Sequence, residues 1–291
     1  MRRPNAIPGG AAPPLDRGKA FKSQGRQTAL QQGYARSKDY GTEGNISEVT
    51  GTSIFDPVLC EIIYRWFCPK GGIILDPFAG GSVRGVVASK LGRQYVGVEL
   101  SERQVEANQI QAGAILSKED CPPIWHVGDS LRIGEICDGT EADFIFSCPP
   151  YANLEVYSDN PADLSVMEYP VFRRAYFEII KKVCGLLKAD RFACFVVGEV
   201  RDKKGNYYNF VGDTIKAFME AGLAYYNEAI LITCAGSLPI RAGIPFVTTR
   251  KLGKTHQNVL IFVKGDARKA TAAIGDVEFA ELDFVNGTEA G

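Results

Sequence analysis

The chain has 291 residues with 45% apolar and 23% charged side chains, the composition of an ordinary globular protein, and its length fits one large α/β domain with decorations. No apolar run approaches the roughly 18 residues needed to span a bilayer, and the start MRRPNAIPGG has basic residues without the apolar stretch of a secretory signal. A membrane span and a secretory leader are therefore not expected, and the expected location is cytoplasmic. The net charge is only −1, but residues 1–40 carry eight Arg/Lys against Asp16 and Asp39, a local balance of +6, while the stretch from Asp266 onward leans acidic. A basic arm of this kind suits a polyanion.

Residues 1–50, rich in Gly, Pro, Gln and charge, read as an extended basic arm. Asp56-Pro57 then opens a helix, with Asp as N-cap and Pro in the first turn; Val58, Leu59, Ile62, Ile63 and Trp66 supply its apolar face. From there strands and helices alternate. Strands are expected at 73–75, 95–99, 124–127, 143–147 and 192–200, and helices at 83–91, 101–116, 169–187 and 211–221. Two last strands, 225–233 and 258–264, show no helix pattern between them and fit an antiparallel hairpin at the sheet edge. The alternation predicts a doubly wound, parallel, Rossmann-like sheet over residues 51–265, followed by an acidic tail, 266–291. The eight cysteines contain no Cys-x-x-Cys pair and mostly lie in apolar runs, so reduced buried thiols are expected rather than a metal site.

The first strand runs into Asp76-Pro-Phe-Ala-Gly-Gly-Ser82. Glycines at a strand-to-helix turn let the backbone approach a ligand, and the helix N-terminus offers free N–H groups. The second strand ends in Glu99, 19 residues after Gly80, where a carboxylate reaches ribose hydroxyls in nucleotide-binding folds. The third ends in Gly128-Asp129-Ser130, suited to a polar contact with an adenine ring. Three such strand ends in register point to a nucleoside-bearing cofactor. A dinucleotide is disfavoured because the turn lacks Gly-x-Gly-x-x-Gly.

The fourth strand ends in Ser147-Cys-Pro-Pro-Tyr151. Two prolines stop sheet pairing and fix the backbone, which gives a rigid corner able to present carbonyls and an aromatic ring to a flat substrate. It lies where open α/β sheets bind ligands. Beyond it, Arg201, Lys203, Arg241, Arg250, Lys251 and Lys254 stand among small and aromatic residues in the segments 200–210 and 234–257, a mixture suited to phosphate contact and base stacking. With the segment 151–168, these are the expected target-recognition loops.

Residues 75–100 resemble the cofactor motif of amino-methylating DNA methyltransferases, Asp-Pro-Phe-x-Gly-x-Gly, a helix and Gly-x-Glu, with Ser82 in place of the second glycine. The corner is similar to that family's Asp/Asn/Ser-Pro-Pro-Tyr/Phe motif, with Cys148 in the first place. The resemblance covers roughly residues 53–265. It implies a seven-stranded methyltransferase sheet of order 3-2-1-4-5-7-6, and S-adenosyl-L-methionine held by Phe55, Asp76, Phe78, Ala79, Gly80, Ser82, Glu99 and Asp129. It also implies a catalytic corner of Cys148, Pro149, Pro150 and Tyr151 that methylates the exocyclic amine of a base flipped from double-stranded DNA. Cys is closest in size to Ser, the residue typical of N4-cytosine enzymes, which favours cytosine over adenine. Alternatives are a C5-pyrimidine enzyme with Cys148 as nucleophile, an RNA or protein methyltransferase, and an inactive DNA-binding relative. The sequence leaves open the target site, the oligomeric state and whether a restriction nuclease accompanies the chain.

Overall fold

A computed structural model describes residues 54–151, 157–233 and 238–277. Seven strands form one sheet: β1 (Ile73–Asp76), β2 (Gln94–Glu99), β3 (Ile124–Val127), β4 (Ala142–Ser147), β5 (Leu187–Val197), β6 (Ala224–Ile232) and β7 (His256–Lys264), in the order 3-2-1-4-5-7-6. The first five run parallel, while β7 is antiparallel to both β5 and β6. This is the expected architecture, including the antiparallel closing pair. It matters for the site because β7 starts beside the carboxyl end of β5, with Val197 opposite Asn258.

Helices cover both faces. On one side lie α1 (Pro57–Phe67), α2 (Val83–Lys90) and α3 (Glu102–Ile115); on the other lies α5 (Tyr169–Gly185), preceded in the chain by the single-turn α4 (Ile133–Ile136), with α6 (Phe210–Glu220) following it. The α1 start is as expected: Asp56 accepts from the Val58 and Leu59 amides, and Pro57 occupies the first turn. The apolar stripe divides, however. Cys60, Ile63 and Tyr64 face the sheet, whereas Val58, Ile62 and Trp66 are left exposed. Strand β4 is buried along its whole length, as expected of a central parallel strand with helices on both faces. Phe144 and Phe146 join the layer under α1, while Ile145 joins the layer under α5.

Three expectations need correction. Strand β5 begins at Leu187, five residues early, because the polar stretch Lys188–Arg191 is held in the sheet by a half-buried ion cluster. Lys188 and Arg191 both donate to the Asp143 carboxylate on β4, at 3.0 and 3.1 Å. A helix, α7 (Leu238–Thr249), does lie between the last two strands. Its exposed Ile244, Phe246 and Val247 and its internal Pro245 conceal the usual one-sided apolar period. Residues beyond 265 also continue the packed body: α8 (Ala267–Ile274), capped by Asp266, buries Ala270 in the α1 layer. The basic arm and the end of the tail lie outside the described residues, and no described helix is long and apolar enough to cross a membrane.

Candidate active site

The turn from β1 to α2 brings the backbone close to the carboxyl ends of β2 and β4. Gly80 holds φ +52°, which a side chain would strain, and a Cβ there would find its nearest neighbours 3.9–4.0 Å away. At Gly81 a Cβ would meet nothing within 4 Å. The turn therefore faces open space instead of packing against protein. Ser82, the departure from the glycine pattern, sits at φ −70°, ψ −18°, where any residue is comfortable, and its hydroxyl donates to Gln111 at 2.5 Å. The turn does not need a glycine at this position.

Glu99 stands half-buried at the end of β2. Its two oxygens accept from the Gly80 and Ser101 amides, each at 2.9 Å, which fixes the carboxylate beside the turn and leaves further lone pairs for a ligand hydroxyl. Burial raises its pKa above the ordinary 4.5, although both backbone bonds oppose the shift. Asp129 is half-buried after β3 and accepts from the Leu131 amide. Phe78 stacks on Tyr176 at 6.1 Å, and Phe55 meets Phe146 edge-on at 5.7 Å. Ala79 is fully buried.

Asp76 does not line the cleft as expected. It is completely buried, and both oxygens are committed: one accepts from the Phe78 amide and the Ser147 hydroxyl, the other from Arg84 and Tyr95, all at 2.6–3.0 Å. Its position at a strand end suggested a ligand contact, but the partners that saturate it come from β2, α2 and β4.

The proline corner follows β4 directly. Pro149 is buried, while Cys148, Pro150 and Tyr151 are half-buried. The Tyr151 ring packs edge-on against Phe210 at 6.0 Å. Its hydroxyl accepts a 2.6 Å hydrogen bond from the amide of Gln257 on β7 and lies 3.6 Å from the Cys148 sulfur. Burial raises the phenol pKa far above its usual value, with Cys148 adding to the shift, so Tyr151 keeps its proton at any working pH. An amide N–H can only donate, so the phenol proton is left for the sulfur. Gln257 carries no sequence motif. Only the antiparallel placement of β7 brings it within reach of residue 151.

The expected phosphate-contacting residues divide. A turn follows β5, in which Arg201 bridges to Tyr207, donates to the Gly205 carbonyl at 2.7 Å and lies 3.8 Å over the Tyr207 ring. Lys203 is exposed on that turn, and the Lys251 ammonium packs directly against Gly205. Arg201 and Lys251 thus meet at Gly205, with Lys203 exposed on the same turn. Arg250 follows in the left-handed region at φ 57°, its guanidinium 5.3 Å over Phe246. Lys254 sits half-buried beside Asn258, and burial lowers its pKa while Glu199 and Glu228 oppose the shift. The side chain of Arg241, and residues 152–156 of the segment expected to be the first recognition loop, lie outside the described residues.

Sheet order, open glycine turn and the acid at the end of β2 together define a class of fold, the Rossmann-like fold of S-adenosylmethionine-dependent methyltransferases. Within that class, residues 56–111 match a family model described as DNA methylase. No curated protein matches the chain. Solved structures with a similar outline include TrmN from Thermus thermophilus, at 13% identity and a TM-score of 0.48 over 74% of this chain and 51% of that one. The chain thus spans about half the length of TrmN. Magnesium protoporphyrin IX methyltransferase from Synechocystis, solved with S-adenosylmethionine bound, aligns at 13% identity and a TM-score of 0.47 over 82% of this chain and 95% of that one. A SAM-dependent methyltransferase from Methanosarcina mazei aligns at 11% and 0.48 over 74% and 99%.

The residues present fit that cofactor. The open face at Gly80 and Gly81 gives room for it, and the Glu99 carboxylate offers an acceptor for ribose hydroxyls. Because the raised pKa makes the ionised form of Glu99 the costly one in the folded protein, that cost is relieved as pH falls through the folded value. If the ionised carboxylate holds the ribose hydroxyls, cofactor affinity is lost over the same range. Calorimetric titration should show S-adenosylmethionine affinity falling at a pH above the ordinary glutamate range, and Glu99→Gln should bind more weakly and flatten the profile. An unchanged, pH-independent affinity in the Gln variant would remove Glu99 from the site.

Proposed function

We propose that the chain transfers a methyl group from S-adenosylmethionine to the exocyclic amine of a base flipped out of double-stranded DNA, with N4 of cytosine favoured over N6 of adenine. The observation that carries this reading is the 2.6 Å bond from Ser147 to Asp76, which holds the proline corner against the glycine turn. A methyl donor lying on the turn and a base lying on the corner would meet within one rim of the sheet. The match of residues 56–111 to a DNA methylase model supports the nucleic-acid substrate.

When bound, the cofactor supplies an activated methyl group. The chain's own part is to orient and to exclude water. Tyr151, fixed by Gln257 and Phe210, offers a ring for the base to stack on. The backbone carbonyl at the corner and the Cys148 sulfur accept from the target amine, which keeps the nitrogen lone pair free. Arg201, Lys203 and Lys251 contact phosphates, and the +6 arm of residues 1–40 adds salt-dependent affinity.

The test is methyl transfer to DNA, RNA and protein, followed by mass spectrometry of nucleosides and residues. Methylated cytosine or adenine from DNA alone is the expected product; label in RNA or protein alone overturns the DNA reading. Cys148 gives a second arm. As an acceptor it can be replaced, so Cys148→Ser should remain active, with no denaturation-stable adduct on DNA containing 5-fluorocytosine. An adduct formed by the native protein and lost in the Ser variant would instead establish attack at C6 and methylation at C5.

A further inference from the structure

The buried Asp76–Arg84 pair lies under the glycine turn, and neither resemblance nor motif assigns Arg84 a role. Arg84 is only 5% exposed. Its Nε donates to Asp76 at 2.6 Å, and its Nη2 donates to the carbonyls of Phe78 at 2.5 Å and Ala79 at 2.9 Å. The remaining backbone groups of residues 78–80 are also committed. The Phe78 amide donates to Asp76, the Ala79 amide to the Val98 carbonyl and the Gly80 amide to Glu99, while the Gly80 carbonyl accepts from Asn108. Every backbone N–H and C=O of residues 78–80 is thus tied to the protein, two of the carbonyls by one guanidinium.

The electrostatics point the same way. A lone arginine under this turn would repel a cofactor that carries a positive sulfonium. The Asp76 carboxylate cancels that charge at contact distance, so the clamp shapes the turn without charging it. Asp76 is in turn bonded to Ser147, one residue before the corner.

We infer that Arg84 is a positioning residue for the cofactor. By drawing the Phe78 and Ala79 carbonyls inward, it turns them from the cleft and holds the open face at Gly80 and Gly81 in its binding shape, with Asp76 neutralising it. This rests on the S-adenosylmethionine reading above. Lysine keeps the charge beside Asp76 but lacks the planar fork that reaches two further carbonyls.

The experiment compares Arg84→Lys and the charge-free pair Arg84→Met/Asp76→Asn with the full native chain. It uses three readouts: melting temperature, amide hydrogen exchange over residues 77–82 without cofactor, and calorimetric affinity for S-adenosylmethionine. The Lys variant should exchange faster over 77–82 and bind about tenfold more weakly. The double variant leaves no buried charge unpaired and so should hold a near-native melting temperature, yet it should show the same faster exchange and weaker binding. Native exchange over 77–82 in a folded variant, or an affinity that recovers with melting temperature in the double variant, overturns the inference. If the Lys variant does not fold, the double variant decides alone. If the native chain does not bind S-adenosylmethionine, the cofactor reading falls, while the exchange data still decide whether Arg84 holds the turn.

Discussion

Tyr151→Ala should lower turnover roughly 5- to 150-fold while leaving affinity for S-adenosylmethionine close to native. Stacking of a base on an aromatic ring is worth about 1–3 kcal/mol, and each 1.4 kcal/mol is about tenfold. The loss falls on the transfer step because the ring stands at the proline corner and touches Cys148, Phe210 and Gln257, not the glycine turn. Tyr151→Phe separates stacking from hydrogen bonding. It keeps the ring and loses the links to Gln257 and Cys148, so most of the activity should survive. Steady-state kinetics with separate calorimetry on both variants checks this. If the Ala variant matches the native protein in turnover, the ring is only a packing element between Phe210 and β7.

Asp76→Ala should be the most destabilising single change at the site. It removes four accepted hydrogen bonds and leaves the Arg84 guanidinium buried without a counter-charge. Breaking one partner out of a buried pair costs about 3–5 kcal/mol, a large share of the roughly 5–15 kcal/mol that holds a domain together. For a body of this size the melting temperature should drop by roughly 6–20 °C. Asp76→Asn should cost less, since it keeps an acceptor for the Phe78 amide and the Ser147 hydroxyl. Equal melting temperatures for Ala and native protein would mean that the carboxylate is not the hub its contacts describe.

Features that depend on neighbours in the chain were legible in the sequence. The Asp56-Pro57 cap, the alternation of strands and helices, the glycine turn, the acid at 99 and the proline corner each announce themselves within a few residues, and all fall where expected. What was hidden depends on partners far along the chain. The early start of β5 needs Asp143, more than 40 residues away, to neutralise Lys188 and Arg191. Gln257 has meaning only once β7 runs antiparallel beside β5, 106 residues after Tyr151. Asp76 shows the opposite hazard. A carboxylate at a strand end looks like a ligand contact until Arg84, Tyr95 and Ser147 are seen to occupy it.

The cysteines give the protein a built-in chemical footprint. All seven within the described residues are free thiols, and five of them are buried. Burial pushes Cys60, Cys68 and Cys184 up to about 12 and Cys137 to about 11, and raises Cys194 well above the ordinary thiol value, so none of these carries thiolate at neutral pH. Cys121 is exposed on the connection into β3, and Cys148 is half-buried at the corner. Among these seven, a brief pulse of a small alkylating reagent should therefore mark Cys121 and Cys148 alone. Cys121 then serves as an internal standard, and the ratio of the two labelled peptides reports how far a ligand covers the corner.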